Sequence, residues 1–237
     1  MGELSMIKVV FEDNHILVVE KPRDILCQED ITGRPDMLTI LKEDIKIRYN
    51  KPGNVYLGMV HRLDRPVGGI MVFARTSKAA SRISALIRDR KFYKEYLAVI
   101  YGRPDDKEGS LESFLAKDRK KKKAVAVKNN EINKELTIPK IALLKYKVLT
   151  TKDNLSLVNV VLETGRFHQI RAQFAQLGNP LYGDEKYSGF REQKDERLAL
   201  WSHKISFKHP VENEIKTFIS FPPKEYPWNL FRFPESR

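Results

Sequence analysis

The chain has 237 residues, 41% of them hydrophobic and 31% charged, which is enough apolar material for one large domain or two small ones and excludes disorder as the default. Its formal net charge of +12, with a pI near 9.6, favours a polyanionic partner, because Lys and Arg that neutralise phosphates release condensed counterions. With Cys27 as the only cysteine an internal disulfide is excluded, and the five histidines are scattered without metal-ligand spacing.

Met1 to Phe11 carries acids and a strand-like pattern, with no basic region leading into a long apolar run, and no segment approaches membrane-spanning length. A soluble cytoplasmic protein is expected. Ile7 to Phe11 and Ile16 to Glu20 read as two strands joined by Glu12-Asp13-Asn14-His15, with Lys21-Pro22 ending the second. Tyr56 to Val60 and Ile70 to Ala74 read as buried strands, and Pro66 with Gly68-Gly69 makes the connection between them a tight turn. Thr76-Ser77 caps a helix running to about Arg90, with Ala79, Ile83, Leu86 and Ile87 as its apolar stripe and Arg82, Arg88 and Arg90 on a basic face. Phe92 to Tyr101 is rich in aromatic and β-branched residues and predicts a strand, followed by a polar turn region over Gly102 to Gly109. Lys117 to Lys123, centred on Arg119-Lys120-Lys121-Lys122-Lys123, is a like-charge block that cannot bury and reads as a flexible surface loop, either gripping phosphates or simply solvated. A hairpin follows from Ala142 to Thr150 and Leu155 to Leu162, around Thr151-Lys152-Asp153-Asn154. A short helix then carries Ile170, Phe174 and Leu177 on one stripe and closes at Gly178 and Pro180, before strands at Leu198 to Phe207 and Ile215 to Phe221. No internal repeat or Gly/Ser linker divides the chain.

Two charged motifs stand out. In Val60-His61-Arg62-Leu63-Asp64-Arg65 a lone carboxylate lies between two guanidinium groups, which hold it ionised and ready to act as a nucleophile or a base; the plainer reading is a turn-forming aspartate. In Glu163-Thr164-Gly165-Arg166-Phe167-His168-Gln169-Ile170-Arg171 two arginines and a histidine gather at a helix start, where an anion or carboxylate partner is plausible; the alternative is that Arg166 and Arg171 pair with surface acids.

Read together, these motifs resemble the RluA-type family of RNA pseudouridine synthases, whose signature around the catalytic aspartate is His-Arg-Leu-Asp-Arg followed by a Gly-containing turn. The resemblance spans most of the chain. His15 to Pro22 is similar to the family's early strand ending in Lys-Pro, Lys94 to Val99 to its Lys-x-Tyr-x-Ala-x strand, Thr164 to Arg171 to its Thr-Gly-Arg-x-His-Gln-Ile-Arg segment, and Gly178 to Tyr187 to its Gly-x-Pro-x-x-Gly-Asp-x-x-Tyr stretch. The sequence departs from the family pattern at Pro66-Val67-Gly68-Gly69, where Thr-Ser-Gly is frequent, and at Gln173 and Trp201, which replace histidines.

The resemblance implies Asp64 as catalytic aspartate, Arg171 as the basic residue paired with it, and Tyr96 as the active-site tyrosine against the target uracil. Arg62 matches the position that fills the space left by an extruded base, while His61 and Arg65 shape the loop and Leu200 walls the uracil site. Arg166, His168 and the block Lys120, Lys121 and Lys122 complete the expected RNA-binding set. The implied fold is α/β of the α+β type, one catalytic domain over residues 1–237 with a largely antiparallel mixed sheet, flanking helices and a basic cleft, and no N-terminal S4 domain. The implied reaction isomerises uridine in structured RNA, ribosomal or transfer, by a monomer that needs no metal, cofactor or obligate protein partner. Two other classes compete: an RNA-binding assembly factor without turnover, and a glycosidase-like hydrolase, which needs two cooperating carboxylates where the motifs supply one.

Overall fold

Ile16–Lys21 and Gly68–Ala74 carry apolar side chains almost without interruption, as strands covered on both faces do, and both are buried along nearly their whole length in the computed structural model, which describes residues 7–128, 134–189 and 197–233. In chain order the elements are β1 (Lys8–Glu12), β2 (Ile16–Lys21), α1 (Met37–Arg48), β3 (Gly58–Met59), β4 (Gly68–Ala74), α2 (Ser77–Arg88), β5 (Phe92–Tyr101), β6 (Glu108–Asp118), β7 (Lys123–Val127), β8 (Lys140–Lys152), β9 (Leu155–Leu162), α3 (Gln169–Gln176), β10 (Leu200–Lys208) and β11 (Ile215–Ile219). This is a mixed α+β chain whose strands pair mostly antiparallel, in two compact units.

The first unit comprises the described residues up to Tyr93 together with Ser202–Ser220. The β1–β2 turn is closed by Asp13, whose Oδ1 accepts the His15 and Ile16 amides, each at 2.7 Å. Strand β2 lies antiparallel to β4, from Ile16 opposite Ala74 to Lys21 opposite Gly69, and that register delivers Lys21 to the end of the sheet where the Asp64 loop enters. Gly69 has a φ of 115°, and a Cβ there would meet the Ser202 carbonyl oxygen at 2.2 Å, so only glycine lets β4 begin this close to β10. Thr76 caps α2 by accepting the Ala79 amide at 3.1 Å. Ala79 and Ile83 then pack with Ile16, Val18, Ile70, Val72, Phe207 and Phe218.

Helix α1 is absent from the expected elements. Its signals are nonetheless in the chain: Asp36 accepts the Leu38 and Thr39 amides at 3.0 and 3.1 Å, and Met37, Leu41 and Ile45, spaced four apart, are its buried residues. The strand expected over Tyr56 to Val60 shortens to β3, because only Gly58 and Met59 find partners on β4.

The second unit comprises Lys94–Trp201 with the described residues from Phe221 onward. Its strands pair in the order β5-β9-β8-β6-β7, and each of these ladders is antiparallel. Asp153 and Asn154, with φ of 52° and 58°, join β8 to β9, a positive-φ pair whose twist suits a tight hairpin. The basic block, expected as a flexible loop, is instead a hairpin turn. Strand β6 continues to Asp118, whose Oδ1 accepts the Lys121 amide at 2.8 Å, Lys122 turns with a φ of 50°, and β7 starts at Lys123. Like charges oppose burial, not order, and a hairpin tip keeps Arg119 through Lys122 exposed.

Candidate active site

Asp64 stands half-buried between the exposed Arg62 and Arg65, on the loop leading from β3 into β4. Its own carbonyl closes a turn by accepting the Val67 amide at 3.0 Å. On the upstream side the buried Cys27 thiol donates to the Leu63 carbonyl at 3.1 Å and its sulfur accepts the Leu63 amide at 3.4 Å. Burial pushes the Cys27 thiol above its ordinary range, which keeps it a neutral donor. On the downstream side the fully buried Lys21 ammonium donates to the carbonyls of Pro22, Arg65 and Val67 at 3.0, 3.0 and 2.8 Å. Its three protons thus meet three acceptors, while the Asp24 amide gives Arg65 a second donor at 2.9 Å. Burial pushes Lys21 down to about 8, against the nearby charges of Asp24 and Asp64. His61 uses Nε2 to accept the Val72 amide at 2.9 Å, so its ring ties the loop to β4.

In the second unit Arg171 leaves α3 into a buried fork with Asp184: Nε donates to Oδ2 at 2.7 Å and NH2 to Oδ1 at 2.6 Å. The side chains are 6% and 0% exposed, so the carboxylate that holds Arg171 here is a buried one and not the surface acid weighed above. Its NH1 faces His168 Nε2 at 3.3 Å, and since an arginine only donates, Nε2 accepts and the ring proton sits on Nδ1. Nδ1 then donates to the Tyr187 hydroxyl oxygen at 2.9 Å, which also accepts the Ala124 amide at 2.6 Å. Burial first, then the charges of Arg171, Lys186 and Lys117, push His168 down to about 3, so it is neutral at physiological pH. A chain of hydrogen bonds therefore runs from the backbone of β7 to the Arg171 guanidinium. Asp184 and Tyr187 lie in the Gly178 to Tyr187 motif but had no expected task; a buried acid thirteen residues after a buried arginine gives no local signal.

Tyr96 is buried in mid-β5 opposite Val160, and Leu200 is buried at the start of β10. Arg166 has no carboxylate partner among the described residues: Nε donates to the Ile141 carbonyl at 2.8 Å, and its amide donates to Gln169 Oε1 at 3.0 Å. Lys120 pairs with Glu135 at the exposed hairpin, and the Lys122 carbonyl accepts the Lys186 ammonium at 3.3 Å. Lys117 lies 4.8 Å from the Phe167 ring centroid, and Phe167 stacks on His168 at 3.8 Å, so the basic hairpin borders the Arg171 network.

Among the described residues Asp13, His209 and Glu212 come close enough to suggest a cation. His209 Nδ1, however, accepts the Glu212 amide at 2.9 Å, which leaves the proton on Nε2, 2.9 Å from Asp13 Oδ2. A protonated ring nitrogen is not a ligand, and Lys216 pairs with Glu212 at 2.8 Å. The cluster joins the β1–β2 turn to the β10–β11 connection.

The sequence model of one family, described as RNA pseudouridylate synthase, matches residues 15–176. The chain is 29% identical over 235 residues to the ribosomal large subunit pseudouridine synthase D of Borreliella burgdorferi, covering 97% of this chain and 69% of that protein. It is 32% identical over 217 residues to an uncharacterized RNA pseudouridine synthase of Bacillus subtilis, covering 90% of this chain and 67% of that one. In fold it is similar to the structure of human RNA pseudouridylate synthase domain containing 4, with a TM-score of 0.77 over 92% of this chain and 89% of that one at 20% identity.

Proposed function

The chain belongs to the RNA pseudouridylate synthase family, and on that premise we propose that Asp64 is its catalytic aspartate, with Tyr96 and Arg171 as further catalytic residues. The enzyme is an isomerase: it breaks the N1–C1′ glycosidic bond of a uridine within RNA and rejoins the uracil through C5. C5 loses its proton and N1, freed from the sugar, gains one, so there is neither redox change nor net hydrolysis. Asp64 supplies the anion that starts this exchange from a turn pinned on both sides, by Cys27 before it and Lys21 after it. Tyr96 offers the aromatic surface that a base needs once it leaves its stack, and Leu200 adds an apolar wall. Arg62, exposed beside Asp64, fills the gap the base leaves, while Arg65, Arg166 and Lys120, Lys121 and Lys122 contact phosphates. His61 and His168 act by holding the loop and Arg171.

The observation carrying this reading is that the family match runs from His15 to Gln176 and so contains the Asp64 loop, Tyr96 and Arg171 together. The substrate is structured RNA, with large-subunit ribosomal RNA, named for the relative from Borreliella burgdorferi, as first candidate and transfer RNA as second. We take the enzyme to be a cytoplasmic monomer without an obligate protein partner; no described helix is long and apolar enough to cross a membrane.

The test is pseudouridine mapping, by carbodiimide labelling and primer extension, of ribosomal and transfer RNA from cells lacking the protein and rescued by wild type or Asp64→Asn. A site that disappears and returns only with wild type is expected, with Asp64→Asn binding RNA within a few-fold of wild type because its phosphate contacts are intact. Restoration of the site by Asp64→Asn would end the catalytic assignment.

A further inference from the structure

Lys94 has no task in the reaction described above. It stands two residues before Tyr96 on β5, so the two side chains leave the same face of the strand. Its ammonium rests against the chain at Gly165: a Cβ built there would lie 3.1 Å from Nζ, closer than side chains normally approach, so glycine is what allows the ammonium this near the backbone. Lys94 is half-buried, and its ammonium has no hydrogen-bond or ion-pair partner among the described residues. The acid nearest in sequence to this loop, Glu163, is taken by Lys145 at 2.9 Å. Burial alone pushes Lys94 below its ordinary range, the signature of a cation short of counter-charge.

The neighbouring donors are also unspent. Gly165 is exposed and its amide finds no acceptor among the described residues. Arg166 is anchored through Nε on the Ile141 carbonyl, which orients the guanidinium and leaves its terminal amino groups without a carboxylate. An ammonium against Gly165, that glycine's own N–H and the guanidinium of the next residue, with no acid bonded to any of them, make a donor set for a phosphate. A half-buried cation left without an anion is costly, and the substrate is what brings one.

We propose that Lys94, Gly165 and Arg166 form a phosphate site that grips the RNA backbone beside the uridine being isomerised, on the Tyr96 face of β5. This rests on the functional reading above, and binding is therefore read separately from turnover. The probe is an in vitro transcript of large-subunit ribosomal RNA, titrated against wild type, Lys94→Met, Lys94→Arg, Gly165→Ala and the Lys94→Met/Gly165→Ala double variant at several salt concentrations. Lys94→Met is expected to bind about tenfold more weakly, the loss of one charged hydrogen bond, with a salt slope shallower by about one. Lys94→Arg keeps both, Gly165→Ala mimics Lys94→Met by displacing Nζ, and the double variant is no worse than either single one. As pH rises, wild-type affinity falls before that of Lys94→Arg, whose guanidinium does not titrate; a purely structural lysine would not produce that difference.

Unchanged affinity and salt slope in Lys94→Met would overturn the site, as would a loss confined to kcat. Should Lys94→Met fail to fold, Gly165→Ala and the pH comparison with Lys94→Arg decide. A wild type that binds this transcript with the expected lysine dependence but isomerises no uridine in it would count against the functional reading, not against the phosphate site.

Discussion

Arg171→Met should damage the protein twice, and the two effects can be separated. The substitution strands Asp184, whose side chain is 0% exposed, with its two charged hydrogen bonds of 2.7 and 2.6 Å removed. Among the described residues a backbone donor remains, the Lys186 amide at 3.2 Å, which cannot neutralise the carboxylate. Removing one partner of a buried pair costs about 3–5 kcal/mol, a sum comparable to much of a domain's stability. In urea this corresponds to a midpoint lowered on the order of 1–3 M, readable by circular dichroism. Arg171→Met/Asp184→Asn removes the stranded charge and should recover most of the loss, yet it should form no pseudouridine, because the guanidinium is still missing. If Arg171→Met unfolds within about 1 kcal/mol of wild type, the argument that this fork is a buried and essential support fails.

Lys21→Met leaves the carbonyls of Pro22 and Val67 short of a donor, at about 1–3 kcal/mol for each one left unsatisfied, while Arg65 keeps the Asp24 amide, and should lower kcat more than RNA affinity; an unaltered kcat would refute the positioning role. His168 predicts a pH window. Its pKa falls from 6.5 unfolded to about 3 folded, so between those values the unfolded chain binds more protons, and this group's contribution to stability is lost as pH drops, by about 1.4 kcal/mol per pH unit at most. The stability of His168→Gln should therefore depend less steeply on pH in that window, and equal slopes would disprove the neutral, buried assignment. Replacing Lys120, Lys121 and Lys122 by Ala should make the salt dependence of RNA binding shallower by about two to three, without altering the unfolding midpoint, since the Lys120–Glu135 pair is exposed. A salt slope equal to that of wild type would dismiss the block as an RNA contact.

The strands were legible wherever apolar residues ran continuously: β2, β4, β5 and β9 stand within a residue or two of expectation. Helix α2 was legible because Thr76 and an apolar stripe coincide. Helix α1 was harder to read: Asp36 and the Met37-Leu41-Ile45 spacing announce it, but Lys42, Glu43, Asp44, Lys46 and Arg48 leave it a stripe of only three buried residues. The basic block misled in another way: charge forecast its exposure correctly but not its order, which comes from Asp118 and the β6–β7 ladder. In the candidate site the motif residues were legible and their supports were not. Cys27, Lys21, Asp184 and Tyr187 act on residues 13 to 63 positions away, and no periodicity records a contact across that distance.

Those supports share one logic. A turn that presents a carboxylate cannot be fixed by apolar packing alone, because its carbonyls need donors once water is excluded. Pro66 has no amide to offer, and the Val67 amide is already spent on the Asp64 carbonyl. A single ammonium provides three donors from one buried atom, which no neutral side chain can match. The penalty for burying it is visible in Lys21 at about 8, and the charge of Asp64 is among those opposing that shift. Lys21 thus positions the loop through its carbonyls while standing close enough to feel the charge the loop presents. The same economy governs Arg171, where a buried acid orients a cation and a neutral histidine, itself held by β7, takes the remaining face. Each charged group proposed for the chemistry is thus held by a buried partner that the sequence shows only as a distant, isolated polar residue.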